Sequence, residues 1–167
     1  MTKVTILMGS DSDYNIMEES AKICKKFGVP FEVVVTSAHR TPERTITTIR
    51  NAEQNGTKVF IVGAGAAAHL AGVVAAHTTL PVVGVPIDAT SLRGVDALYS
   101  TVMMPGGIPV ASMAIGKAGA VNAGLFAVAV LSTSDAAMAA KLATYREEMK
   151  AKVEAKSAAL QERVKKL

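Results

Sequence analysis

Residues 58–87 read KVFIVGAGAAAHLAGVVAAHTTLPVVGVPI. Two nearly continuous apolar runs, KVFIVGAG (58–65) and PVVGVP (81–86), flank a small-residue segment of helical pattern. A strand that is apolar along its whole length has both sheet faces covered, and two such strands joined by a helix run parallel, with a right-handed crossover. The same alternation continues outward in both directions. KVTILMG (3–9), FEVVVT (31–36) and PVASMAI (109–115) supply three more strands, each separated from the next by a helical segment. The pattern predicts a single α/β domain with a five-stranded parallel sheet.

Helix signals sit where this plan needs them. Ser12 or Asp13 is expected to cap a helix over 14–27, which Gly28 stops before Pro30. Thr41-Pro42-Glu43 offers a capping hydroxyl, a proline at the first helical position and an acid in the first turn, for a helix reaching about Asn55-Gly56. Further helices are expected from the glycines near 65 to about Thr79, over about 91–100, and over about 117–131. The architecture is then a three-layer αβα sandwich, flavodoxin-like, with 1–133 as its α/β core.

Residues 134–167 add a long C-terminal helix opening at Ser134-Asp135. Leu142, Tyr145, Met149, Val153, Leu160, Val164 and Leu167 recur on it at helical intervals, interrupted by Lys156. More than 30 residues of helix span about 45 Å, longer than a domain of this size covers. The far part of the stripe is therefore expected to pack on a neighbouring subunit.

Composition narrows the function classes. Half of the 167 residues are hydrophobic but only 4% are aromatic, so the core is built from Ala, Val, Ile, Leu and Met. The net charge of +4 resides in the tail: residues 1–140 carry ten basic and ten acidic side chains, and residues 141–167 carry eight and four. Interleaved signs with one aromatic, Tyr145, describe a solvated helix rather than a nucleic-acid surface. No run of 18 apolar residues predicts a membrane span. A single cysteine, Cys24, and no leader-like segment before the first strand predict a reduced, cytoplasmic setting.

Ligands of open parallel sheets bind beyond the carboxyl ends of the strands. Three polar or glycine-rich segments are expected there: Gly9-Ser10-Asp11-Ser12-Asp13, Ser37-Ala38-His39-Arg40-Thr41-Pro42, and Gly63-Ala64-Gly65-Ala66-Ala67-Ala68-His69. The first offers amides and hydroxyls at a helix N-terminus, suited to an anion such as phosphate, and Asp13 is suited to ribose hydroxyls. Ser37 and Arg40 add a hydroxyl and a guanidinium. His39 lies between them, and an imidazole of unperturbed pKa about 6.5 gives and takes protons near neutrality. The third loop also fits Gly-x-Gly-x-x-Ala, a dinucleotide-binding pattern, although it follows the third strand rather than the first. His69 is placed to line the pocket. His69 and His77, eight apart, have no acid or cysteine beside them, so no metal is expected.

Together GSDSD (9–13), SAHRTP (37–42) and GAGAAAHL (63–70) resemble the three signature loops of the class I N5-carboxyaminoimidazole ribonucleotide mutase family. LYSTVMMPGGIPVASMAIGKAGAVNAG carries the resemblance on to the end of the fifth helix. It implies a cofactor-free isomerisation in purine biosynthesis, moving CO2 from a carbamate nitrogen to an imidazole carbon, in a homo-octamer with sites near subunit contacts. It implies His39 as general acid/base. Ser10, Ser12, Ser37 and Arg40 would hold phosphate and Asp13 the ribose. The Ala64–Ala67 backbone, with Gly65 and Ala66, would hold the migrating carboxylate, with His69 beside it.

The chain departs from the family pattern at three points. Ala66 stands where glycine is common, Ala71 where proline is common, and Met103 where glutamine is usual. Alanine at 66 is expected to be strained if that position needs a positive φ. Three competing readings remain: a CO2-dependent aminoimidazole ribonucleotide carboxylase, against which Arg40 and Ala67-Ala68-His69 weigh; an NAD-binding oxidoreductase; and a non-catalytic flavodoxin-like binding module.

Overall fold

The computed structural model describes residues 3–167. Five parallel strands form one sheet in the order β2-β1-β3-β4-β5. They are β1 (Val4–Met8), β2 (Phe31–Val35), β3 (Val59–Gly65), β4 (Val82–Ile87) and β5 (Ala111–Ser112). The chain starts in the middle, steps to one edge, then crosses back and builds toward the other. This is the flavodoxin-like order, with its switch point between β1 and β3. Ile6 pairs with Val33 on one side and Ile61 on the other, and Val62 pairs with Gly84.

The helices are α1 (Tyr14–Phe27), α2 (Pro42–Gln54), α3 (Leu70–Ala76), α4 (Val95–Val102), α5 (Lys117–Ser132) and α6 (Ala136–Val164). Successive strand residues point to opposite faces. Leu7, Phe60, Val62 and Ala64 face one way, into a core with Ile49 and Ala52 of α2, Leu70 and Val74 of α3, and Ala97 of α4. Gly63 faces the other way, onto Met17 of α1. On that second face Ser20 of α1 donates a 2.6 Å hydrogen bond to the carbonyl of Ala120 in α5. The result is the expected three layers. Each large apolar side chain removed from water here contributes about 1.5–3 kcal/mol.

Several element bounds differ from the sequence reading, each for a local reason. The fifth strand is two residues rather than seven. It pairs with β4 only through Val83↔Ala111 and Gly84↔Ser112. Pro86 of β4 has no N–H to continue the ladder. The chain leaves regular pairing, although Met113 and Gly116 still donate to the carbonyls of Gly84 and Pro86. α3 ends at Ala76 because the Thr78 hydroxyl accepts from the Leu80 amide and turns the chain. α4 begins at Val95, not near 91, because Arg93 and Gly94 are left-handed, with φ of 52° and 83°. Gly28 closes α1 in the left-handed conformation, φ 71°.

The described chain forms two compact units that divide after Val130. The second consists mainly of α6, capped by Asp135, whose carboxylate accepts from the Met138 amide at 3.0 Å. No residue of α6 is buried. Among the described residues no helix is long and apolar enough to cross a membrane.

Candidate active site

The loops that follow β1, β2 and β3 meet at the carboxyl end of the sheet around a cleft of about 380 Å³. Ser10, Ser12, Asp13, Ser37, His39, Arg40, Ala64, Gly65, Ala66 and Ala67 all line it. His69 is not on its wall; it reaches the cleft through the His39 ring. Gly9, Ala38, Leu70 and Ala89 complete the lining. Ala89 was not singled out in the sequence, yet its place just past the end of the fourth strand was the available signal.

The loop after β1 is folded by its own side chains. Ser10, with extended backbone, caps a single 3-10 turn over Asp11–Asp13 that leads into α1. Its hydroxyl accepts from the Ser12 amide at 3.3 Å, and its amide donates to Asp13 Oδ2 at 3.1 Å. This reciprocal pair is a capping box. Asp13, one of the two expected caps, does hold the N-cap position of α1 but makes no capping bond with its side chain; the side-chain cap is Ser10, on the 3-10 turn before it. Asp13 is only 6% exposed. Burial pushes its carboxyl above the usual range, against the lowering effect of the Ser10 amide. A desolvated carboxylate at a cleft wall gains from hydroxyl donors, as the ribose assignment of Asp13 requires.

The loop after β2 is held by threonines. Thr41 does not cap α2 with its side chain, as its sequence position suggested. Its hydroxyl instead accepts from the Ser37 amide at 3.0 Å and donates to the Ser37 carbonyl at 3.1 Å. Ser37 Oγ in turn accepts from the Arg40 amide at 3.2 Å. Beneath them Thr36 and Thr45, both buried, share a 2.8 Å hydroxyl contact. Sequence reasoning missed this network. Its signal was Thr36-x4-Thr41-x3-Thr45, which places one hydroxyl at the strand end and two on the next helical turn. His39 and Arg40 ride at the exposed tip of a loop closed on itself.

The loop after β3 carries the strain. Ala66 has φ 54°, in the left-handed region that glycine tolerates. Gly65 precedes it for a spatial reason: a Cβ there would lie 2.5 Å from Ala89 Cβ. The two loops approach so closely that only glycine fits. Beyond the turn, the amide of Ala67, which lines the cleft, donates to no atom among the described residues, so it is available to a ligand; Ala68 is buried and off the cleft wall. The glycines of the Gly-x-Gly-x-x-Ala match lie inside β3 and pack on Met17 and Ala89, and α3 starts only at Leu70. They therefore clear no room for a pyrophosphate at a helix start, which removes the geometric basis of the dinucleotide reading.

His69 meets His39 across this junction: Nδ1 of His69 lies 2.8 Å from Nε2 of His39, with the rings 4.9 Å apart and nearly perpendicular. One ring donates and the other accepts, so a single hydrogen sits between them. His77 stands at the other end of α3. Among the described residues no three His, Cys, Asp or Glu side chains gather as a metal site would need. Of the departures from the family pattern, Ala71 is buried against the sheet and Met103 is 78% exposed after α4.

The AIR carboxylase family profile matches residues 3–152. A curated N5-carboxyaminoimidazole ribonucleotide mutase of Synechocystis is 50% identical over 158 residues, 95% of this chain and 89% of that protein. The mutase of Thermotoga maritima is 46% identical over 162 residues, 97% and 94% of the two chains. The crystal structure of Treponema denticola PurE superposes with a TM-score of 0.83 at 30% identity, covering 92% of this chain and 94% of that one.

Proposed function

The chain belongs to the AIR carboxylase family, and from that membership we propose that it is an N5-carboxyaminoimidazole ribonucleotide mutase. It would convert its substrate to 4-carboxy-5-aminoimidazole ribonucleotide in purine biosynthesis. One observation carries the reading: His39 shares a single cleft with Ser10, Asp13, Ser37 and Arg40. An imidazole is thereby set beside groups suited to a ribose phosphate. The CO2-dependent carboxylase is the weaker alternative, because relatives of about 50% identity carry the mutase name.

The chemistry then needs one acid/base group. His39 donates a proton to the carbamate nitrogen as its bond to the carboxylate carbon breaks, releasing CO2 and the ring amine. The ring carbon attacks CO2, forming the new carbon–carbon bond. That carbon's own hydrogen then passes as a proton to His39, which returns to its starting state. Proton and CO2 balance within the substrate and one imidazole, so no cofactor is required. His69, hydrogen-bonded to the same ring, fixes which nitrogen carries the hydrogen. The free amide of Ala67 suits the carboxylate before and after its transfer, and a cleft emptied of water keeps CO2 from escaping.

The assembly belongs to the same proposal. Met149, Val153, Leu160 and Val164 of α6 are half or more exposed within the chain. Such a stripe on a 29-residue helix is suited to packing on another subunit, within a homo-octamer. A reduced cytoplasmic setting fits Cys24, a buried free thiol pushed up to about 11 by burial and hence unreactive.

The deciding experiment supplies the carbamate substrate in bicarbonate-free buffer and follows the carboxylated product by absorbance. The mutase turns over without added bicarbonate. Turnover that appears only with bicarbonate and the uncarboxylated ribonucleotide assigns the chain to the carboxylases instead.

A further inference from the structure

The loop that joins β4 to α4, residues 88–94, reaches the cleft through Ala89. It is folded by two side chains six residues apart. The Thr90 hydroxyl donates to Asp96 Oδ2 at 2.7 Å and accepts from the Leu92 amide at 3.1 Å. We propose that Thr90 and Asp96 are positioning residues: their hydrogen bond holds Ala89 against Gly65 and so keeps the turn at Ala66 left-handed, with the Ala67 amide presented to the cleft. The inference rests on the mutase reading above for its kinetic test and extends it to two residues that do not line the cleft.

Three observations support it. The first is the state of Asp96. It stands in the first turn of α4, yet its carboxylate accepts from no helix amide. Oδ2 is turned to Thr90, and Oδ1 is buried with no hydrogen-bond partner among the described residues. An acid that served only the helix start would turn its oxygens to the amides there or to water. This one is placed for the bond that Oδ2 makes, at a cost to stability through Oδ1. The second is how tightly the loop is wedged. A Cβ on Gly94 would lie 2.6 Å from Ile115 Cγ2 and 3.3 Å from Asp88 Cα. On the other side, Ala89 leaves no room for a Cβ on Gly65. Close packing of this kind passes a shift at the start of α4 on to the end of β3. The third is the strain at Ala66, φ 54°, which persists only where the surroundings fix it. The Ala67 amide, one residue on, donates to no atom among the described residues and gives the turn no support. The Ala89 methyl on Gly65 is the adjoining contact that does.

A double-mutant cycle in the full-length protein tests this. Thr90→Val keeps the shape of the side chain and removes its hydroxyl. Its kcat for the carbamate is expected to fall about tenfold, the order of a sub-ångström misplacement, with KM within about twofold because the phosphate and ribose contacts are untouched. Thr90→Ser should recover most of kcat. Asp96→Ala should match Thr90→Val, and the two together should be no slower than either. Glycine adopts a positive φ unaided, so in an Ala66→Gly background Thr90→Val should cost less than about threefold. Hydrogen exchange read by mass spectrometry gives a measure independent of turnover: the peptide 63–69 should exchange faster in Thr90→Val than in wild type. Unchanged kcat in Thr90→Val overturns the proposal, and so does the same loss whether residue 66 is alanine or glycine. Faster exchange confined to 88–96 also overturns it and makes the pair a fastening of α4 alone. A wild-type protein that does not turn over the carbamate defeats the mutase reading, and exchange in 63–69 then decides this one.

Discussion

His39 Nε2 and His69 Nδ1 lie 2.8 Å apart, one ring edge-on to the other. The contact joins two loops that are 30 residues apart in the chain, the one after β2 and the one after β3. Only one of the facing nitrogens can carry hydrogen, so the tautomer of either ring sets the tautomer of the other. A proton taken up on the outer nitrogen of His39 can be balanced by a shift of the shared hydrogen toward His69.

His39→Asn should therefore remove turnover and keep binding. Loss of a general acid/base costs about 10²–10⁴ in rate. The variant should bind the product ribonucleotide within about threefold of wild type, since the phosphate and ribose groups are untouched. Rapid-mixing kinetics with the carbamate, paired with titration calorimetry, checks both halves. A variant that turns over at the wild-type rate removes His39 from the chemistry.

His69 acts through His39, so its loss should be smaller and should not add. His69→Phe is expected to lower kcat about tenfold with KM little changed, and His39→Asn/His69→Phe should be no slower than His39→Asn alone. His69→Asn or His69→Gln, which keep a hydrogen-bonding group near Nδ1, should fall between wild type and His69→Phe. Full additivity in the double variant would mean that the two rings work independently.

Ala66→Gly should stabilise the protein. A left-handed alanine costs about 1–2 kcal/mol, and glycine returns part of that through the greater freedom of its unfolded chain. A net gain of about 0.5–1 kcal/mol corresponds to about 1–4 °C in Tm for a domain of this length. Scanning calorimetry at matched protein concentration measures it. A lower Tm in the glycine variant would show that the turn at 66 is not strained.

The contrast between Ala66 and Thr45 shows what the sequence could and could not disclose. Strand periodicity and Gly/Pro punctuation are local, so the five strands, their parallel sense and the bounds of α1 were legible. The three site loops were legible too, because each is an unbroken run at a strand end. Tertiary contacts were not. Pro86 shortens β5 through a partner strand, and Ala89 enters the cleft because Gly65 lets two loops touch. Asp13 holds the N-cap position of α1 without a side-chain bond, because a 3-10 turn capped by Ser10 precedes the helix and turns the Asp13 carboxylate back to the Ser10 amide. That His69 meets His39 depends on where β3 ends relative to β2, with β1 between them. No spacing along the chain encodes that.

Asp13 gives a pH-dependent prediction. Burial raises its pKa in the folded protein above the unfolded value. The folded state thus holds this proton more firmly than the unfolded chain does. Its stabilising effect is complete below the unfolded value, about pH 4, and is lost as pH rises through the folded one. At neutral pH the ionised group is a net cost. Asp13→Asn, which still offers an oxygen to the Ser10 amide, should then have a higher Tm than wild type at pH 7, with the difference shrinking as the pH is lowered toward 4. The same variant should bind the ribonucleotide about tenfold more weakly, having lost a charged acceptor. Tm against pH for both proteins, with one binding titration each, checks this. A variant less stable than wild type at pH 7 contradicts it.

The threonine network gives a test of how the acid/base loop is held. Thr45 is fully buried; its hydroxyl contacts Thr36 Oγ1 at 2.8 Å and donates to the Thr41 carbonyl at 3.2 Å. Thr45→Val keeps the shape and removes the hydroxyl. Thr36 Oγ1 is then left buried with only the 3.5 Å contact to Thr41. An unsatisfied buried hydroxyl costs about 1–3 kcal/mol. The loss falls at the base of the loop that aims His39, so kcat should drop severalfold as well, while Thr45→Ser should restore most of both. Chemical denaturation and steady-state kinetics on the two variants separate the outcomes. Lost stability with unchanged kcat would make the network a fastening of α2 alone. Lost kcat that serine recovers would make it the support on which the catalytic imidazole is positioned.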